Sequence, residues 1–478
     1  MTVNFRWQLP LLMTALSLAN TAHGQTFPGY NTSNYSGIHG IISNPAMGAG
    51  SRYKWDVNIA GLDVKGGNTY LSFPKSILFH MPDTLRRNKD YFLDTTARRK
   101  QVAWASADLV MPSVLYAIDR RQSVAFIWRI RAMGNGGNIN TGIANFFNNF
   151  PNSQYNGRRI NLDRGAVNAH LWNEFGFSYS RILKDDGIHR WKGGATLKIL
   201  GGMGAGYGIV QDASFVLNNQ RSGTITSGTL KAAYNEDVDK WVDQPLRNYK
   251  PLSNLGLGLD LGVVYEFNPD GDGAYDADGW NPEADMYKLR IGASITDIGG
   301  IRYKKSPLSA DLDLTRANID PNQLKYRNGE SWKTYYRRIK QYFTPTETDD
   351  NFYMNLPTAL NLMADYNIDG RFFVSANAVV ALTAGEKDDN KTYAMTQIQI
   401  TPRYERRYFG AYMPIQVNRF GQADVGAVFR VGPLVLGSAS LFSNLFRKHV
   451  DHADAFVALR ITPFNFQRKD KRLNCPPY

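Results

Sequence analysis

Leu255, Leu257, Leu259, Leu261, Val263, Tyr265 and Phe267 are separated, one by one, by Gly256, Gly258, Asp260, Gly262, Val264 and Glu266. Side chains of an extended strand point alternately to opposite faces, so this stretch makes a ribbon with one wholly apolar side. A helix would scatter the leucines round every side and would be weakened by its glycines. The pattern recurs. Leu289, Ile291, Ala293 and Ile295 alternate with Arg290, Gly292, Ser294 and Thr296, and Leu360, Leu362, Ala364 and Tyr366 with Asn361, Met363, Asp365 and Asn367. Val124, Phe126, Trp128 and Ile130 oppose Arg129 and Arg131, and Val425, Ala427, Phe429 and Val431 run into Gly432-Pro433. Such ribbons stack as a soluble sandwich or close into a barrel whose apolar side dissolves in lipid.

Composition narrows the choice. A mean hydropathy of −0.38, with no internal apolar run near the roughly 20 residues of a membrane helix, excludes a helical membrane bundle but not a barrel. With 13% aromatic and only 20% charged residues the chain is not mainly disordered. The single cysteine, Cys475, leaves no internal disulfide framework and no multi-cysteine zinc site.

Met1–Trp7 carries Arg6, Leu9–Ala19 is apolar, and Ala22-His23-Gly24 offers small residues for cleavage before Gln25. Residues 1–24 therefore read as a secretory signal, too short for a transmembrane helix. Removing Arg6 lowers the formal charge from +13 to +12. For an exported protein that charge suits anionic lipid headgroups and lipopolysaccharide rather than nucleic acid, although no block of like charges stands out.

Connectors alternate in length. Tight turns fall near Asp119–Gln122, Lys184–Gly187, Asp369-Gly370, Glu405–Arg407 and Gly432-Pro433. Long polar stretches lie between them: Pro74–Lys100, Gly134–His170, Asp212–Asn254, Arg302–Asn355 and Thr383–Thr392. Short turns on one side and long loops on the other are the habit of outer-membrane barrels. Asn268–Asp285 is long for its parity. Trp55, Trp104, Tyr116, Trp172, Tyr265, Phe267, Tyr366 and Tyr408 sit near strand ends as an interfacial girdle would. The expected fold is all-β: a transmembrane antiparallel β-barrel of about 14 strands, with 12 and 16 as alternatives. Trp55–Val64 and Thr69–Phe73 then count as one bent first strand. Residues 25–54 form an N-terminal plug or hatch, 55–464 the barrel with long extracellular loops, and 465–478 a periplasmic tail. The expected location is the bacterial outer membrane.

The segment from Tyr35 to Ala46 (Tyr-Ser-Gly-Ile-His-Gly-Ile-Ile-Ser-Asn-Pro-Ala) precedes the first strand. Its Asn44-Pro45-Ala46, with Gly292–Gly299 and Leu356–Leu362, resembles FadL-type fatty-acid transporters and PorV-type barrels of type IX secretion. The longer opening, Ser36–Ala46 followed by Arg52–Asn58, is similar to an uncharacterised outer-membrane family typical of the Bacteroidota (domain of unknown function 5723). Some members of that family carry an OmpA-type domain, for which no room remains after Phe464. The resemblance implies a hatch inside a 14-stranded barrel, with Asn44, Pro45 and Ala46 as hatch candidates.

Catalytic chemistry is not visible. No His-Glu-x-x-His, Gly-x-Ser-x-Gly or P-loop occurs, so the chain reads as a non-enzyme without cofactor or resident metal. The five glycines within Gly201–Gly208 lack dinucleotide spacing and suggest a strand bulge. Asp270, Asp272, Asp276 and Asp278 could wrap calcium, yet Asp and Gly equally make a solvated turn. His449, Asp451, His452 and Asp454 read as a polar loop. Asp320-Pro321 could cap a helix, and Trp332, Tyr335, Tyr336, Ile339, Tyr342 and Phe343 recur at helical spacing among Lys333, Arg337, Arg338 and Lys340. That segment either packs over the barrel mouth or lies at the membrane surface. The functional expectation is a structural or partner-binding envelope component, such as an accessory subunit of secretion or assembly machinery. The alternative is a FadL-like channel for hydrophobic small molecules.

Overall fold

The computed structural model describes residues 26–78, 86–96, 100–148, 151, 153–238, 251–269, 287–325, 327, 330, 332–346, 349–383 and 392–463. The signal segment, the Asp270–Asp278 loop and the tail from Phe464 lie outside them.

A ring of antiparallel strands forms the body: β1 (Trp55–Asn68), β2 (Lys100–Val110 and Ser113–Ala117), β3 (Gln122–Asn140), β4 (Arg159–Asp185) and β5 (His189–Asn219). It continues through β6 (Ser222–Tyr234 and Leu255–Phe267), β7 (Leu289–Lys304, Ala310–Asp313 and Arg316–Ile319) and β8 (Thr344–Thr346, Asn351–Asn355 and Ala359–Asn367). The remaining strands are β9 (Phe372–Ala381), β10 (Gln397–Glu405), β11 (Phe409–Tyr412 and Ile415–Asn418), β12 (Ala423–Val425 and Ala427–Val431), β13 (Leu434–Ser438) and β14 (His452–Ile461). Each pairs with its sequence neighbour, and the ring closes at β1. There Leu62 faces Val457 of β14 on one side and Leu109 of β2 on the other. Closure leaves no free edge through the membrane, which lipid demands because it cannot hydrogen-bond an exposed backbone. Breaks within single strands fall at Met111-Pro112, Pro357 and Met413-Pro414, where proline cannot donate to the ladder.

Alternation sets the two faces. On β6, Leu255, Leu257, Leu261 and Val263 are exposed, whereas Asp260, Gly262 and Glu266 are buried inside. This is a transmembrane β-barrel, its apolar face outward and its polar face lining the lumen. Tyr116, Tyr366, Phe372 and Tyr408 are exposed on the outer face near the tight-turn end, and Trp191 packs on Tyr265 there at 4.8 Å. Two expected girdle residues are not part of it. Trp172 is fully buried on the lumen side, in phase with His170 and Glu174, and Trp104 lines a lumen cavity in phase with Ser106 and Asp108.

The tight turns gather at one end. At Asp119 one carboxylate oxygen accepts from the Arg121 and Gln122 amides at 2.6 and 2.8 Å. Asp369 does the same for Arg371 and Phe372 at 3.0 and 2.8 Å, beside Gly370 at φ 78°. At the other end β4 and β5 run on for 27 and 31 residues, against about 9–11 needed to cross a bilayer. Most of Gly134–His170 and much of Asp212–Asn254, expected as polar loops, are therefore strand. Above the membrane neither face must be apolar, so period-two hydrophobicity stops while the ladder continues. Leu71–Pro74 also differs from expectation. The Asn68 side-chain oxygen accepts from the Tyr70 and Leu71 amides, turning the chain out of the barrel. Leu71–Pro74 instead pairs with Phe92–Leu93 and His449–Val450 in a separate small sheet. Among the described residues four helices lie off the wall: α1 (Ile38–Ser43), α2 (Thr141–Asn148), α3 (Trp332–Lys340) and α4 (Leu441–Phe446).

Candidate functional site: a filled lumen and an apolar pocket on the extended wall

Residues 26–54 lie against the inner faces of the strands, with Phe27, Tyr30, Ile38, Ile41 and Ala46 almost completely buried. Irregular backbone at membrane depth needs partners for its polar groups, and the wall supplies them. Arg460 of β14 holds Asp56, the Tyr30 hydroxyl and the Tyr35 carbonyl. Arg290 of β7 donates to the Thr32 carbonyl and pairs with Asp365 of β8 at 2.8 Å. Asp365 also takes Arg403 of β10 at 2.6 Å, and Arg403 holds Glu405 at 3.2 Å. Glu405 accepts in turn from the Asn34 amide side chain at 3.0 Å. Arg460 and Arg290 each serve both the cylinder and the segment inside it.

The three hatch candidates sit together on the inner face of β5–β7. The Asn44 side chain accepts from the Ala46 amide at 3.0 Å and donates to the Val263 and Ala293 carbonyls at 3.1 and 3.3 Å. Pro45 opens a short 3-10 turn, Pro45–Gly48, that the Asn44 side chain caps. Glycine on the wall makes the fit. A Cβ on Gly194 would lie 2.5 Å from the Ala46 nitrogen and the Pro45 carbonyl carbon, and one on Gly262 2.1 Å from the Asn44 side-chain oxygen. Gly262 was visible in the sequence as a small residue opposite the apolar face, but nothing there tied it to residues 44–46, and Gly194 carried no signal of its own.

Beyond this segment the lumen holds a second charged network. Arg129 pairs with Asp108 and, at 3.0 Å, with Glu174; Arg131 binds Glu174 at 3.1 Å and Asp297 at 2.8 Å. Lys198 reaches Asp260 at 2.8 Å and Asp297 at 2.6 Å. Beside it lies a cavity of about 80 Å³ between Ile42 and Ser43 below and Ala394 and Met395 above. Asp108, Arg129, Arg131 and Asp297 line it together with Trp104, Met133, Pro357 and Val379, and space of that size suits a few waters.

Among the described residues the wall has a discontinuity backed by apolar side chains. The β5–β6 ladder stops at Gly201↔Leu255 and resumes at Gly206↔Tyr234. Asn235 and Asn254 bridge the gap, through Asn254 to Gly202 at 3.0 Å and Asn235 to Ala205 at 2.7 Å. Inside it Trp172, Leu200, Ile301, Tyr303, Phe352 and Met354 pack as a buried cluster. The Tyr303 hydroxyl meets His170 at 2.9 Å, and its ring occupies the space a side chain on Gly202 would need. The bulge expected around Gly201–Gly208 is this place.

Higher up, an apolar pocket of about 760 Å³ lies between β4, β5, α2 and α3. Leu162, Val167, Val210, Phe215, Ile339 and Phe343 line it, and Lys325 is the one charged residue among those described that does so. The aromatic periodicity read in Arg302–Asn355 is α3, which packs on the extended wall. Ile339 and Phe343 join Ile225, Leu312 and Leu314, and the Tyr336 hydroxyl donates to the Ala310 carbonyl at 3.2 Å. Asp320 caps a 3-10 turn at Pro321–Leu324. Outside the barrel Glu330 clamps Arg338 at 2.8 Å, and that hydrogen bond holds the Glu330 carboxyl below the usual range. His449 and His452 are parted. His449 meets Phe92 edge-to-face at 4.4 Å, while His452 contacts Asp424 at 2.7 Å and Asp451 at 2.6 Å, tying β14 to β12.

Solved structures similar to this chain include the Ralstonia pickettii toluene transporter TbuX, at 12% identity and a TM-score of 0.43, covering 93% of this chain and 98% of that one. The P. putida toluene transporter TodX matches at 10% identity and a TM-score of 0.43, covering 90% and 95%. A Pseudomonas aeruginosa FadL homologue matches at 9% identity and a TM-score of 0.39, covering 92% and 94%. No curated protein sequence matches significantly. The family of unknown function DUF5723 matches residues 45–439, which is most of the chain, and the protein belongs to that family.

Proposed function

We propose that this protein is exported, loses residues 1–24, and resides in the bacterial outer membrane as a non-catalytic component that works with its lumen shut. Its role is structural or partner-binding, in the manner of an accessory subunit of secretion or assembly machinery. The tight turns face the periplasm and the long strands with α2 and α3 stand outside. The observation that supports this is the seal. Arg460, Arg290 and Glu405 each bind both the barrel and residues 26–54, and the cavity beyond is small.

The test is affinity purification from native envelopes in mild detergent, followed by mass spectrometry, alongside uptake of hydrophobic solutes in a deletion strain. The reading expects defined envelope proteins at fixed stoichiometry and unchanged uptake. A barrel that purifies alone, from a strain whose deletion abolishes uptake, would overturn it.

One observation favours the second reading, a FadL-like channel with Asn44, Pro45 and Ala46 as its hatch. The gap between Gly201 and Gly206, with Tyr303 behind it, is where a solute could leave sideways. Under this reading Tyr303→Ala speeds passage of an apolar solute through proteoliposomes. Under the first it changes nothing.

A further inference from the structure

We propose that the outer face of β2–β5 binds one acyl chain of an anionic membrane lipid, along a groove from the pocket beneath α3 down to the lipid-facing belt. This goes beyond the sealed-lumen reading and does not depend on whether the lumen opens.

Two cavities make the groove. The first is the 760 Å³ pocket; the second, of about 500 Å³, lies lower on the wall among Ala107, Ala132, Gly134, Ala169, Gly204 and Gly206. Their edges meet on one face. Val167 of the upper pocket pairs with Gly208, and two residues along each strand Ala169 of the lower one pairs with Gly206. Residues two apart on a strand share a face, and this one also carries the exposed Phe177 and Tyr179 of the membrane belt. Val64, 45% exposed and part of that belt, forms the lower rim.

Gly134, Gly204 and Gly208 are not explained by packing against the described residues, whereas Gly206 is, because a Cβ there would lie 3.1 Å from the Tyr234 Cβ. Gly134, Gly204 and Gly208 have none of the positive φ angles that favour glycine. A Cβ on each would find its nearest neighbour at 3.7, 3.6 and 3.4 Å, which is ordinary contact. Elsewhere in the barrel, glycine makes room for another part of the chain, as Gly194 does for Pro45 and Ala46. Here it leaves a trough. Both cavities fall within the roughly 300–1,000 Å³ of small-molecule sites.

The occupant follows from continuity and charge. The trough opens on the lipid-facing belt, so its nearest apolar solute is a lipid chain of the surrounding leaflet. At the upper end the exposed Lys325 is the charged residue on the lining, placed to meet an anionic headgroup.

The experiment places the full barrel in phosphatidylcholine nanodiscs containing doxyl-labelled phosphatidylglycerol and reads the motionally restricted lipid by electron spin resonance. Restricted lipid beyond the general boundary layer is expected. Gly134→Leu with Gly204→Leu should weaken it about tenfold, the worth of about two buried methylenes, with the heat-dependent gel mobility of the folded barrel retained. Ala132→Leu, a conservative change on the same trough, gives the same sign if the double variant does not fold. Lys325→Gln should cut the preference for phosphatidylglycerol over labelled phosphatidylcholine about fivefold. Restricted lipid unchanged in the filled variants would overturn the proposal. So would displacement of the label by dodecanoate from water with no preference among lipids, which would assign the groove to a free amphiphile.

Discussion

The two ends of this barrel solve the problem of a hollow cylinder in opposite ways. Toward the tight turns the protein's own N-terminal segment packs against the inner wall, held by Arg290, which pairs with Asp365, by Arg460, which pairs with Asp56, and by Glu405. Toward the long strands the wall outgrows the membrane, and its apolar surface gathers under α3 without being filled. Charge organises the first region and hydrophobic contact the second. A buried ion pair fixes position because leaving either partner alone is costly. An apolar pocket tolerates a range of occupants because its contacts lack direction. The difference teaches that the charged part is a defined assembly and the upper part an adaptable surface.

The largest expected effect comes from breaking the charged side of that contrast. Asp365→Ala leaves Arg290 and Arg403 without their shared carboxylate, and should cost about 3–5 kcal/mol. Urea unfolding of the barrel in lipid vesicles reads this, and an unchanged midpoint would remove the ion pairs from the account. Next is the apolar side. Phe343→Ala should cost about 3 kcal/mol locally, seen as faster hydrogen exchange in α3 while the barrel's unfolding midpoint stays put. A shift of that midpoint would mean the two regions are one cooperative unit.

Much of this division was legible in the sequence. Alternation along Leu255–Phe267 states which face meets lipid, and the lumen phase of Arg290, Asp365 and Arg129 follows from the same count. The aromatic spacing at Tyr335, Tyr336 and Ile339 announced α3. The lower pairings were not legible. Arg460 and Asp56 are 404 positions apart, and only closure of the ring brings them together. The extended parts of β4 and β5 were hidden for another reason: a strand without a lipid-facing side need not alternate. Trp104 and Trp172 misled because proximity to a strand end outweighed their phase, which already pointed inward.

Two smaller effects sharpen the upper region. Tyr336→Phe removes one hydrogen bond to the Ala310 carbonyl and should loosen α3 by about 1 kcal/mol, again by hydrogen exchange. The Glu330–Arg338 clamp should matter least, and its loss should show only in acid. Because the Glu330 carboxyl is held below the usual range, its contribution is complete above the ordinary glutamate pKa of about 4.3 and fades as pH falls through the lowered value. Protection factors in α3, exchange taken relative to the intrinsic rate at each pH, should therefore match at pH 7 and 5 and fall in stronger acid, a fall that Glu330→Gln abolishes.

Ion conduction across planar lipid bilayers tests the seal directly. The wild-type barrel should insert without discrete conductance steps. Gly194→Val, whose side chain needs the place of Pro45 and Ala46, should produce steps together with protease cleavage within residues 26–54. A wild-type barrel that conducts steadily while that segment stays protected would contradict the account.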